Sequence, residues 1–431
     1  MLTTSPFYRA LTAVVVPVVP WALHDPRQRT AHAARLAAPL AMEEWARRHR
    51  DLTRPLAWFH ASSVGEGLQA RAVLHAYRAL HPESQIVYTH YSPSAASLAA
   101  SIKADWSGYL PYDRARDVRR ALRALRPNLL VFTKLDLWPE LATQAVAAGC
   151  RVTMVAATVA SDSGRLRWLP RMLAAPGYRT LDFAGAISSD DVRRLVSLGC
   201  DPDRVIVTGD PRIDSVLEVV QQASESAPPV ELGPAAQLLV AGSTWPEDEA
   251  VLLRAFGEVH ARYPDARLML VPHEPTLAHL LSIEAAFVPG AVRPPVPLGS
   301  LAEGDEPEIL VIDRVGMLAH LYAAGAMAYV GGGFGGAGIH SVLEPAAWSR
   351  PVIIGPHDRG SRDASLLEQA GALTRLPEQH AVTALVEKWC AWLGDGAACA
   401  RVGAAARSAL EADRGAARRS AEQLASRLRF N

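Results

Sequence analysis

The sequence predicts an α/β fold of two doubly wound, Rossmann-like domains facing across a cleft, and three observations predict it. Short apolar runs alternate with helix-compatible segments over residues 51–220. The alternation stops over residues 221–234, QQASESAPPVELGP, where small, polar and proline residues displace it as in a linker. It then restarts and continues over residues 235–431. Such alternation implies parallel sheets with helices on both faces, and ligands collect at the carboxyl ends of their strands.

Residues 1–50 read as a membrane-associated segment. Leu11 to Leu23, LTAVVVPVVPWAL, carries no charge over thirteen residues, short of the roughly 20 that a spanning helix needs. Trp21 and the arginines that follow, Arg27, Arg29, Arg35, Arg47, Arg48 and Arg50, suit a segment dipping into a membrane interface. A buried N-terminal helix is equally consistent with that length.

In the first domain Leu56 to Phe59, Ile86 to Thr89, Leu129 to Phe132, Val152 to Val155, Phe183 to Ile187 and Val205 to Val207 read as strands. Between the first two, the loop HASSVGEG leads into a helix marked by Leu68, Ala72, Ala76 and Leu80, and Arg114 to Arg126 is an arginine-rich amphipathic helix. The second domain takes Leu238 to Ala241, Ala266 to Val271, Ile309 to Ile312, Met327 to Val330 and Val352 to Ile354 as strands. Alanine- and arginine-rich helical sequence from Ala397 to Phe430 closes it.

Lys plus Arg and Asp plus Glu number 44 each, so the chain shows no global polyanion-binding signal and nucleic acid is not an expected partner. Its 49% hydrophobic and 20% charged content supports large cores and excludes disorder. Cys150, Cys200, Cys390 and Cys399 are scattered without zinc or C-x-x-C spacing, and the 14 histidines form no H-E-x-x-H pattern, so no metal is expected.

The chemistry concentrates around Met327 to His357. A strand breaks into six glycines between Gly331 and Gly338, then a helix from Ser341 to Ser349 and another strand follow. A glycine loop entering a helix N-terminus suits a phosphate, because bare N–H groups and the positive end of the dipole meet there. Ser341-x-x-Glu344 also reads as a capping box, and Gly331, Gly333 and Gly336 fit the dinucleotide pattern G-x-G-x-x-G with Asp358 downstream. Gly242-Ser243-Thr244 and Pro272-His273-Glu274-Pro275 end strands on the same expected edge; turn and cap chemistry explains such residues equally well.

In the first domain Glu66, in SVGEG, follows a strand, where partial burial would suit a general base; a dipole-favoured residue in a helix's first turn is the plainer alternative. Ser63 and Gly65 flank it. Lys134 and Asp136, in TKLDLWPE, offer an anion and a hydroxyl partner, or a surface ion pair. Arg212, in GDPRID, offers a planar fork for carboxylate or phosphate.

Taken in order, these motifs resemble one family, the 3-deoxy-D-manno-octulosonic acid (Kdo) transferases, glycosyltransferases of the GT-B fold. HASSVGEG is similar to its H-A-x-S-V-G-E, LWPEL to its L-W-P, GSTWPEDE to its G-S-T-x-x-x-E, and IHSVLEPAAWSRPVIIGPH to its G-H-N-x-L-E-P-A with the following G-P. The resemblance spans nearly the whole chain. It implies transfer of Kdo from CMP-Kdo to a lipid A precursor, an anionic glycolipid, at the cytoplasmic face of the inner membrane, with inversion and with Glu66 as base. It further implies a donor site at Ser243, Thr244, His273, Gly332, Gly333, Gly335, Gly336, Ile339, His340, Ser341 and Glu344, and no cofactor or bound metal.

The chain departs from the family pattern at several points. Lys134-Leu135-Asp136 stands where the common form has E-T-E, Pro272-His273-Glu274-Pro275 where it has P-R-H-P-E, Trp245 where it has the His of G-S-T-H, and Ser341 where it has Asn. A dinucleotide-dependent oxidoreductase, a non-catalytic glycolipid- or nucleotide-binding scaffold, and another GT-B enzyme such as a nucleotide-sugar epimerase or a transferase with a different donor are the alternative readings. The first expects its glycine fingerprint after an early strand, whereas here at least three strands of the second domain precede it.

Overall fold

The structure, a computed structural model, describes residues 4–224, 229–287, 292–302, 304–336 and 338–427. The chain folds into two compact units, Met1–Ser215 with Arg414–Asn431, and Val216–Asp413.

The first unit is built on a parallel sheet of seven strands: β1 (Leu56–His60), β2 (Gln85–His90), β3 (Trp106–Tyr109), β4 (Leu129–Thr133), β5 (Arg151–Ala157), β6 (Phe183–Ala186) and β7 (Val205–Val207). Their order is β3-β2-β1-β4-β5-β6-β7. The order reverses between β1 and β4, which pair in register through Phe59 and Val131. Both faces are covered, as a parallel sheet requires, so the central strands are apolar runs without alternation.

The second unit repeats the plan with β8 (Leu238–Thr244), β9 (Arg267–Pro272), β10 (Val296–Pro297), β11 (Ile309–Val311), β12 (Met327–Val330), β13 (Val352–Ile354) and β14 (Leu373–Arg375). The order is β10-β11-β9-β8-β12-β13-β14, with its reversal between β8 and β12. Clusters around Phe256 and Trp389 on one face, and around Met269 and Tyr322 on the other, form the core.

Three strands escape the sequence reading, and all lie at or next to a sheet edge. β3 (WSGY), β10 (VP) and β14 (LTR) are short and half-buried, so they carry no apolar run. The helical face expected after β1 also needs correction. Helices α1 (Pro6–Ala22), α2 (Pro26–His49) and α3 (Val64–Leu80) open the chain, and α3 buries Ala72 of that face together with Ala70, Val73, Leu74 and Tyr77, while Leu80 is exposed.

The chain's end differs most from expectation. The run from Ala397 is two helices, Gly396–Asp413 and Ala416–Ala425, parted by Gly415 at φ 92°; residues 428–430 lie outside the described residues, as do 225–228 of the expected linker. The helix Ala416–Ala425 packs on α3 through Ala417, Ala421 and Leu424, in the core of the first unit and not with the second. Asp214 caps it, its two oxygens accepting from Gly415 N at 2.6 Å and Ala417 N at 2.8 Å.

Among the described residues no helix is long and apolar enough to cross a membrane. α1 exposes Phe7, Leu11, Val14, Val15 and Val18. Its first turn is tied down by Tyr8 Oη donating to Asp113 (2.8 Å) and by Arg9 paired with Glu140 (2.8 Å). Arg35 in α2 and Arg50 just after it turn inward. Arg35 is buried, and Arg50 donates to the carbonyls of Leu125 and Arg54, so neither belongs to a solvent-facing basic group.

Candidate active site

In a doubly wound sheet the loops at the reversal of strand order splay apart and leave a crevice. Each unit places residues of its motifs there.

In the first unit β1 ends at His60 and β4 is followed by Asp136. His60 Nε2 lies 2.8 Å from Asp136 Oδ2, and Trp138 Nε1 donates to the same oxygen at 3.1 Å. Ser62 Oγ donates to it as well. Burial opposes ionisation of Asp136, but the hydrogen bond and charge of His60, with Ser62 and Trp138, outweigh it and pull the pKa down to about 2. Thr89 fixes the far side of the ring, its Oγ1 3.0 Å from His60 Nδ1. Asp136 is therefore no partner of Lys134, which is exposed, with its backbone in the left-handed region at φ 62°.

Ser62 links this group to Glu66. Its N–H donates to Glu66 Oε2 at 3.0 Å, and Ser63 N donates to the same oxygen at 3.2 Å; Ser63 Oγ in turn accepts from Glu66 N. That is a capping box at the start of α3. Oε1 carries no hydrogen bond among the described residues, so the box orients the carboxylate while using one of its oxygens. A Cβ on Gly65 would meet nothing within 4 Å, which leaves the approach to this turn open. Arg212 does not join the group: its fork closes on Asp210, Nη2 to Oδ2 2.8 Å.

In the second unit the loops after β8 and β12 are bound together by one buried carboxylate. Asp248 accepts from Gly332 N at 2.8 Å, Trp245 N at 3.0 Å and Tyr329 Oη at 2.7 Å, while burial raises its pKa. Ser243 and Thr244 separate in role. Thr244 is fully buried and donates to Glu249 at 2.8 Å, so its hydroxyl is not available to a ligand. Ser243 is half-buried, with φ 52°.

The glycines divide likewise. A Cβ on Gly333 would stand 2.7 Å from Gly355 Cα, and Gly332 has φ 94°, so both are demanded by backbone packing. Cβ atoms on Gly335 and Gly336 would find only Glu247 Oε2 at 3.6 Å and Arg359 Nη2 at 3.7 Å, so packing does not require glycine there. Ala337 lies outside the described residues.

The helix expected from Ser341 to Ser349 is only Leu343–Ala347, and Ser341 and Glu344 form no capping box. Ser341 Oγ instead accepts from Leu343 N at 3.4 Å, because the segment turns before the helix begins. Glu344 lies in its first turn, half-buried. Just before it, half-buried Ile339 leads to His340, whose ring stacks on His273 (centroids 4.3 Å), and Trp245 stacks on His273 in turn (5.0 Å). Trp245 Nε1 donates to His340 Nε2 at 3.2 Å; burial, then His273, lowers the His340 pKa.

His60, Ser62, Trp138, Asp248 and Glu249 were not singled out from the sequence, although each lies within a quoted motif. Among the described residues no three His, Cys, Asp or Glu side chains stand where they could hold a metal ion.

Residues 32–215 match the family model described as 3-deoxy-D-manno-octulosonic-acid transferase (kdotransferase). The chain is 28% identical over 375 residues to the 3-deoxy-D-manno-octulosonic acid transferase of Bordetella pertussis, covering 83% of this chain and 82% of that one. It is 27% identical over 335 residues to that of Aquifex aeolicus, covering 77% and 85%. Among solved structures, a glycosyltransferase from Rickettsia africae superposes with TM-score 0.55 at 10% identity, over 88% of this chain and 100% of that one, a likeness of fold. With two parallel seven-stranded sheets, each carrying its polar groups at the reversal point, the protein is a glycosyltransferase of the GT-B fold. In sequence it is similar to the Kdo transferases. The glycine fingerprint follows the fifth strand of its sheet, β12, not the first, as a dinucleotide-binding unit would have it.

Proposed function

We propose that the protein transfers Kdo from CMP-Kdo to a hydroxyl of a lipid A precursor in lipopolysaccharide synthesis, inverting the anomeric centre, with Glu66 as general base. One observation carries the assignment of the base. Glu66 is oriented by two backbone N–H groups on Oε2 and keeps Oε1 unengaged at the carboxyl end of β1. That oxygen takes the proton of the acceptor hydroxyl as the hydroxyl oxygen attacks the anomeric carbon and the bond to CMP breaks.

The second unit holds CMP. The open glycines Gly335 and Gly336, with Ser243, bind the phosphate through backbone N–H and hydroxyl groups. The rings of His273, His340 and Trp245 offer stacking surface, and Glu344 lies toward the ribose. Charge supports an anionic acceptor for the first unit. That unit has 32 Arg and Lys against 20 Asp and Glu, and the second has 12 against 24, so a net zero conceals +12 and −12. The exposed apolar residues of α1 suit attachment to the cytoplasmic face of the inner membrane.

The test is a transfer assay with CMP-Kdo generated in situ and a tetra-acylated disaccharide acceptor, the product weighed by mass spectrometry. A product heavier by one or more Kdo residues is expected. CMP binding without transfer to any lipid acceptor would remove the proposal.

A further inference from the structure

Arg35 sits in the apolar stripe of α2, between Ala31, Ala38 and Met42, and only 5% of it is exposed. Its guanidinium lies 3.9 Å above the Tyr91 ring centroid, with Tyr109 and Tyr112 beyond. Nη2 donates to Tyr91 O at 2.6 Å, and Nε is buried without an acceptor. Among the described residues it forms no ion pair. Two carboxylates on adjoining loops are committed elsewhere: Asp136 to His60, Ser62 and Trp138, and Asp113 to Tyr8 and to the N–H groups of Glu140 and Leu141.

A desolvated cation without a counter-ion is costly, and cation–π contact returns only part of that cost. His90 is buried with neither ring nitrogen hydrogen-bonded, and burial, then His60 and Arg35, hold its pKa down at about 4. Yet the place is the ligand edge of the sheet. Tyr91 follows β2 directly, its ring lies 5.0 Å from Trp138, and Ser62 O, in the Glu66 turn, accepts from Ser92 N at 2.7 Å.

We propose that Arg35 is the anion-recognition residue of the acceptor site, completing its charge balance with a phosphate group of the acceptor lipid. This rests on the acceptor reading given above. The aromatic walls lower the local dielectric, so a guanidinium–phosphate pair made there discriminates strongly between charged and uncharged ligands.

The test is equilibrium binding without donor, on the full-length protein, followed through tryptophan fluorescence. The probes are a tetra-acylated glucosamine disaccharide bisphosphate and its fully dephosphorylated form. The wild type is expected to bind the bisphosphate at least tenfold more tightly; Arg35→Gln brings that ratio toward one, and Arg35→Lys keeps part of it. Should Arg35→Gln fail to fold, inorganic phosphate is expected to displace the bisphosphate from the wild type and to do so less well from Arg35→Lys. Equal binding of both forms by the wild type, an unchanged ratio in Arg35→Gln, or no displacement by phosphate would overturn the role of Arg35 and leave the acceptor reading standing. A wild type that binds neither form would remove the acceptor reading, and Arg35 with it.

Discussion

His60 and Asp136 meet across the reversal of the first sheet, Nε2 to Oδ2 at 2.8 Å, one at the end of β1 and the other just after β4. The contact joins two strands' loops and, through Ser62, steadies the turn that carries Glu66. Replacing Asp136 by Ala strands three donors around a mostly buried site. A loss of about 3 kcal/mol is expected, read as a lower thermal midpoint, together with reduced transfer.

The same carboxyl sets a pH dependence. Its folded pKa, about 2, lies below the unfolded value near 3.8, so its stabilisation is complete above pH 4 and fades as pH falls through 2. Melting curves from pH 6 to 2 are expected to show a decline below pH 4 that is smaller in Asp136→Asn.

The two kinds of glycine in the second unit are separable by alanine. Gly333→Ala forces a Cβ against the Gly355 backbone and is expected to destabilise by about 1–3 kcal/mol. Gly336→Ala has room, so its melting temperature is expected to stay within a degree or two of wild type, roughly the span of a small surface effect. Its CMP affinity, measured by calorimetry, is expected to fall.

Membrane attachment through α1 has its own check. Phe7, Leu11 and Val14 are exposed, so changing all three to Ser is expected to leave the fold intact and to weaken sedimentation with anionic vesicles by tenfold or more. Unchanged sedimentation would contradict the attachment.

Much of this was legible because buried parallel strands write themselves as apolar runs, and β1, β2, β4 and β12 do so plainly. Edge strands such as β14 do not, since half their surface faces solvent. In the site, motif order pointed to Glu66 and the glycine loop, but roles within motifs depend on which way a side chain turns. Thr244 turns inward and Ser243 does not, although both are hydroxyls at one strand end. Arg35 leaves a trace in the sequence, a charge at the centre of an apolar helical stripe that includes Ala31, Ala38 and Met42, although it also falls in the run of basic residues that follows Trp21.

The role of Glu66 is tested most directly by Glu66→Gln in the transfer assay with mass detection. Glutamine keeps an oxygen to accept from Ser62 N and Ser63 N, so the start of α3 and the melting temperature are expected to persist, but it cannot take a proton. Transfer is expected to fall by roughly 10²–10⁴-fold with CMP binding unchanged. Transfer at the wild-type rate by folded Glu66→Gln would contradict the assignment of this carboxylate as the base.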